Sequence, residues 1–118
     1  MTEKRRRFKR ISLLIPIHYR IRGKPDFDNG LSDNISEGGC AFKSYKFIPR
    51  GSLLMLELEI LKKVIYPIGR VVWCQFSSYS ERNRVGVEFV EFDPLEKAFL
   101  SDYINMFFGK EINRKEEK

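Results

Sequence analysis

Two short stretches hold the residues with most chemistry to offer. The first runs Arg5, Arg6, Arg7, Phe8, Lys9, Arg10, with three residues between Arg6 and Arg10. Guanidinium groups hold phosphates bidentately and lie flat on purine rings. The second runs Asn34, Ile35, Ser36, Glu37, Gly38, Gly39. Asn34 and Ser36, two positions apart, point the same way if the chain there is extended. Their amide and hydroxyl groups can read a base edge or ribose hydroxyls. Gly38 and Gly39 let a ligand approach the backbone closely. Alone, each stretch is weak: the first spacing arises by chance in basic tails, and the second is an ordinary loop. Together they flank one strand, and another strand follows the second.

Catalytic constellations are harder to assemble. His18 is the one His in the chain, on the polar side of an alternating segment, and it reads as an exposed strand residue rather than a general base. There is no Walker loop and no dinucleotide-binding glycine fingerprint. Cys40 and Cys74 both lie in apolar stretches and read as small core residues, not as a disulfide framework. With one His, a Cys/His zinc site would need extra carboxylates. The expectation is a non-enzyme with no metal and no cofactor.

The charge distribution narrows the partner. The chain has 118 residues and a net charge of +6. Residues 1–10 carry six Lys/Arg against one Glu, so nearly all of that charge sits on one arm. Such an arm suits an anionic partner: phosphate, nucleic acid or an anionic membrane surface. A solvated basic tail would look the same by charge alone. No apolar run reaches the length that spans a bilayer, and the N-terminus lacks the apolar stretch of a signal peptide. A soluble cytoplasmic domain is expected.

The elements that position these residues are mostly strands. Residues 11–22 alternate, with Ile11, Leu13, Ile15, Ile17, Tyr19 and Ile21 on one face. Pro16 cannot donate to a ladder, which predicts an edge strand or a bend. Further strands are expected over residues 27–33, 40–45, 52–61, 64–76 and 84–89, with turns at 23–25, 34–39 and 49–51 and a polar loop over 77–83. In the fourth, Leu54, Leu56, Leu58 and Ile60 share a face. Short strands at this spacing, without helices between them, predict an antiparallel barrel. Asp93, Pro94 and Glu96 then form a helix start. Leu95, Phe99, Tyr103 and Phe107, with Ala98, Leu100, Ile104 and Phe108, recur at helical spacing. The stripe is expected to cover the barrel, a dimer interface being the alternative. Gly109 reads as the stop, and residues 110–118 as a polar, frayed tail.

The two motifs, in this order and context, resemble the PilZ domain, a bacterial receptor module for cyclic di-GMP. The family's Arg-x-x-x-Arg matches Arg6 and Arg10, and its Asp/Asn-x-Ser-x-x-Gly matches Asn34, Ser36 and Gly39. Gly69-Arg70-Val71-Val72-Trp73 and Val85-Gly86-Val87-Glu88-Phe89 also look like the family, as does the terminal helix. The resemblance covers about residues 4–108.

It implies a mainly β fold: a six-stranded antiparallel barrel over residues 11–108 with a C-terminal helix, a flexible arm over 1–10 and a polar tail over 109–118. It implies that Arg6 and Arg10 clamp phosphates and stack on guanine, that Asn34 and Ser36 hydrogen-bond a guanine edge or nearby groups, and that Gly39 permits close approach. Trp73 matches a position that approaches the ligand in some members; a large barrel residue is the other reading. Asn34 stands where Asp is commoner, which removes an acceptor charge. Asp33 beside it should face the other way in an extended segment. Members with Arg at the position of Arg5 tend to bind an intercalated ligand dimer, so two cyclic di-GMP molecules are expected. The arm is expected to fold onto the barrel when ligand neutralises it, and so to relay the signal to an effector protein. Two other readings remain: a ligand-independent interaction adaptor, and a nonspecific nucleic-acid binder. Against the latter, no basic stripe is apparent across the strands. A homodimer is left open.

Overall fold

The computed structural model describes residues 14–77 and 82–116. Seven strands and one helix follow one another: β1 (Ile15–Ile21), β2 (Asp28–Ile35), β3 (Gly39–Ser44), β4 (Leu53–Ile60), β5 (Lys63–Ile65), β6 (Ile68–Ser77), β7 (Arg82–Glu91) and α1 (Pro94–Glu116). All pairings are antiparallel, in the order β1-β2-β3-β7-β6-β4, and β4 pairs back onto β1. Six strands thus close a barrel, as the sequence leads one to expect, and β5 is an extra strand on β4.

Alternation drives the closure. Ile15, Ile17 and Tyr19 of β1 and Leu54, Leu56, Leu58 and Ile60 of β4 point inward and are buried. Phe42, Val71, Val85 and Val87 complete the interior. Tyr19 packs on Phe42 at 4.7 Å between ring centroids, and its hydroxyl is hydrogen-bonded to Ser44 Oγ at 2.8 Å. A buried phenol keeps its place only with such a partner.

Several sequence expectations need correction. β1 is not an edge strand, because it pairs with both β2 and β4. Pro16 is tolerated because the β4 pairing begins only at Ile17. The strand expected over 64–76 is two. Pro67 divides it, and its carbonyl accepts the Leu56 N–H at 3.1 Å. β6 and β5 then share one edge of β4, opposite β1. Leu61 and Lys62 form the β4–β5 turn, both with positive φ (51° and 67°). Cys40 is buried, but Cys74 is half-buried at the margin of the core.

The helix starts as its sequence requires. Asp93 Oδ1 accepts the backbone N–H groups of Leu95 and Glu96 at 2.9 and 3.3 Å. Glu96 also accepts the Tyr66 N–H at 2.9 Å, which ties the first turn of α1 to the β5–β6 connection. Leu100, Tyr103 and Ile104 join the barrel's own core, with Phe99 and Phe107 packed against it. The stripe therefore covers the barrel. Leu95 and Ala98 are not part of it, both being exposed. The helix also does not stop at Gly109 but runs to Glu116. One interior glycine costs a helix only about 1 kcal/mol, which does not end it.

Candidate functional site

The second motif lies where β2 passes through a bulge into a tight turn. The β2–β3 register shifts between Ser32 and Asn34, so Ser32 pairs with Phe42 while Asn34 pairs with Ala41. Ser32 and Ile35 both point inward and are fully buried. The Ser32 hydroxyl donates to the carbonyls of Ala41 and Asn34, at 3.0 and 3.1 Å. Two residues thus bridge a gap that alternation would give to one, and Asp33 and Asn34 both fall on the outer side. The expectation that Asp33 faces away from Asn34 is corrected by this bulge.

Ser36 and Gly39 build the turn itself. Ser36 is 3% exposed, and its Oγ accepts the N–H groups of Gly38 and Gly39 at 3.1 and 3.2 Å. Its own N–H donates to the Gly39 carbonyl at 2.8 Å. A Cβ on Gly39 would lie 2.0 Å from the Val87 carbonyl oxygen. Glycine is needed here so that the β3 and β7 backbones can meet.

Across the outer face, Asn34 pairs with Ala41, Ala41 with Gly86 and Gly86 with Trp73. The row is low in the middle, with a methyl group and a glycine, and taller at its ends. The indole of Trp73 lies across Gly86: a Cβ there would sit 2.1 Å from its Cε2 atom. Trp73 is thus an outer-face residue and not an interior one. Beside it, Arg84 donates to Asp33 through two nitrogens, Nη2 at 2.9 Å and Nε at 3.4 Å. The same guanidinium carbon lies 5.5 Å from the Trp73 ring centroid.

Lys43 is the register partner of Arg84, and Arg82 lies two positions along β7, over the ring of Tyr45 at 4.5 Å. The barrel therefore carries its own cations on one outer face, which the sequence had assigned to the arm alone. A cavity of about 380 Å³ opens here, lined by Leu14, Asn29, Leu31, Asp33, Lys43, Tyr45 and Arg82 among others. Leu14 is the described residue nearest the arm. Arg5, Arg6 and Arg10 lie outside the described residues. Neither Asp33 nor Arg84 belongs to the motifs read from sequence. The signals available were Asp33 adjoining Asn34, and Arg84 alternating with buried Val85.

His18 is exposed on the outer side of β1, in register with Asn29 of the cavity lining, and its Nδ1 lies 3.7 Å from Glu57 Oε1. Among the described residues no group of three His, Cys, Asp or Glu could hold a metal, and no helix is long and apolar enough to cross a membrane.

The PilZ domain model matches residues 4–106, which spans both motifs and the whole barrel. The chain belongs to the PilZ domain family. Solved PilZ-type structures share its fold. The PilZ domain of YcgR from Escherichia coli, solved with c-di-GMP, superposes with a TM-score of 0.69 at 17% identity, covering 97% of this chain and 98% of that one. The Bacillus subtilis inhibitor of motility MotI/DgrA gives 0.74 at 20% identity, covering 96% and 52%. The K. pneumonia MrkH–c-di-GMP complex gives 0.68 at 21%, covering 93% and 54%. The chain thus spans about half the length of MotI and MrkH. No curated protein sequence matches. In PilZ terms, the second motif sits at the β2–β3 turn, and Trp73 joins Asn34 by one sheet row.

Proposed function

We propose that this domain binds cyclic di-GMP on the outer face of β2, β3, β7 and β6. The carrying observation is the convergence there of Asn34, Trp73 and the Asp33–Arg84 pair beside the cavity that Leu14 lines. Leu14, which lines that cavity, follows Arg10 by four positions in sequence. A guanine base needs an aromatic surface and donors and acceptors at its edges, and this face offers both. The phosphates need guanidinium groups, which the arm supplies. The PilZ family membership and the cyclic di-GMP complexes among its structural relatives support the reading.

In this reading Arg6 and Arg10 hold phosphates and stack on guanine. Asn34 reads a base edge. Ser36 and Gly39 act indirectly, by fixing the turn that presents Asn34. Arg5 adds cationic surface for a second, intercalated ligand. Binding closes the arm against the barrel, and the surface so formed engages an effector protein.

Calorimetric titration with cyclic di-GMP tests the proposal, with GTP and single-stranded DNA as controls. Saturable heat with cyclic di-GMP alone is expected, at a stoichiometry near two. Heat from DNA instead would establish the basic-arm reading, and no heat from any of the three would leave the adaptor.

A further inference from the structure

Arg84 is held in a manner that its stability value does not explain. Its partner Asp33 is 31% exposed at the side chain and Arg84 is 41% exposed. Ion pairs this wet contribute little to stability. Yet the guanidinium is fixed on two sides. Asp33 takes the Nε and Nη2 edge, and the Trp73 ring lies beside it at 5.5 Å. Its remaining N–H donors, on the far edge, have no partner among the described residues. A guanidinium held by one edge presents the other as a rigid fork.

Such a fork matches two acceptors side by side in a plane. The O6 and N7 atoms of guanine form that pair. The setting favours a base over a phosphate, because Arg84 is one outer position along β7 from Gly86, which the indole covers. A base resting on or beside the indole brings its edge to the height of the guanidinium.

We propose that Arg84 reads the O6/N7 edge of a bound guanine, with Asp33 as its positioning residue. The proposal rests on the cyclic di-GMP reading above, and adds a specificity residue carried by the barrel itself.

The test compares wild type, Arg84→Gln, Arg84→Lys and Asp33→Asn. Each is titrated with cyclic di-GMP and with its 7-deazaguanine analogue, which lacks N7, and each is melted to check the fold. Wild type should bind the analogue about tenfold more weakly than cyclic di-GMP. Arg84→Gln should lose about tenfold toward cyclic di-GMP and show no further loss toward the analogue. Arg84→Lys keeps the charge but not the fork, and should behave like Arg84→Gln. Asp33→Asn should fall between, with a reduced penalty for the analogue. Wild-type affinity in a folded Arg84→Gln protein overturns the inference. So does an equal loss toward both ligands, which would make Arg84 a phosphate contact. Absence of cyclic di-GMP binding by wild type removes the parent reading and this one with it, a result distinct from binding that is indifferent to Arg84.

Discussion

Ser32 and Ile35 stand three residues apart in one strand, and both side chains are fully buried. A regular strand would turn one of them out. The Ser32 hydroxyl makes this workable by donating to the carbonyls on both sides of the bulge. The outward placement of Asp33 and Asn34 depends on it.

Ser32→Ala should therefore destabilise the domain by about 0.5–1.5 kcal/mol, the net contribution of the buried hydrogen bonding it removes. Urea denaturation measures the loss. Amide exchange should quicken first between Ser32 and Ala41, and a uniform change would show that the bulge has no special dependence on this hydroxyl.

Two glycines should respond differently to the same methyl group. At Gly39 the clash is with the Val87 carbonyl, and backbone cannot step aside. Gly39→Ala should cost about 3 kcal/mol, the upper end for an overpacked site. At Gly86 the clash is with the indole of Trp73, which can swing. Gly86→Ala should keep the fold and shift the emission of Trp73, the one tryptophan in the chain. Paired thermal melts and fluorescence spectra separate the two.

The Leu61–Lys62 turn can be improved. Both residues hold the left-handed conformation that disfavours a Cβ, at about 1–2 kcal/mol each. Replacing the pair by Asn-Gly, which suits a two-residue hairpin turn, should raise stability by at least about 1 kcal/mol. An unchanged melting temperature would count against stored strain at this turn.

Alkali should loosen the fold through two tyrosines. Burial raises the Tyr19 hydroxyl above its usual pKa of 10.0, and the Ser44 hydrogen bond offsets this only in part. Burial raises Tyr103 as well. The unfolded chain thus releases these protons first, so their contribution is complete below about pH 10 and is lost as pH climbs through the folded values. Denaturation curves from pH 8 to 11 should show stability declining above pH 10. Tyr103→Phe should flatten that decline.

For the proposed function, Arg10→Ala should weaken cyclic di-GMP binding by about 1.5–3 kcal/mol, as for one charged hydrogen-bonding group. Calorimetry decides it. Wild-type affinity in this variant would remove Arg10 from the site.

Much of the architecture was legible because burial writes itself into alternation. Ile15, Ile17 and Tyr19, or Leu54, Leu56 and Leu58, name their faces without help. The helix start was legible for a similar reason: Asp93 and Pro94 solve a local hydrogen-bonding problem with local residues. What escaped was set by partners distant in sequence. The bulge at Asp33 exists because β3 pairs out of step with β2. Arg84 meets Asp33 only because β3 lies between their two strands. The outward position of Trp73 follows from a second register shift, between Val71 and Trp73. The continuation of α1 past Gly109 shows a breaker signal too weak to act alone.

The closure of the barrel also sets a timetable. β1 is completed by β4, and β3 by β7, so neither of the first sheet's open edges is satisfied by its neighbours in sequence. Such long-range pairing places barrels among slow folders, on the order of milliseconds to seconds. A chain emerging from synthesis must carry the unpaired edge of β3 until Glu91 has been made. That edge is the hydrogen-bonding template on which a nascent copy of this domain would misassemble.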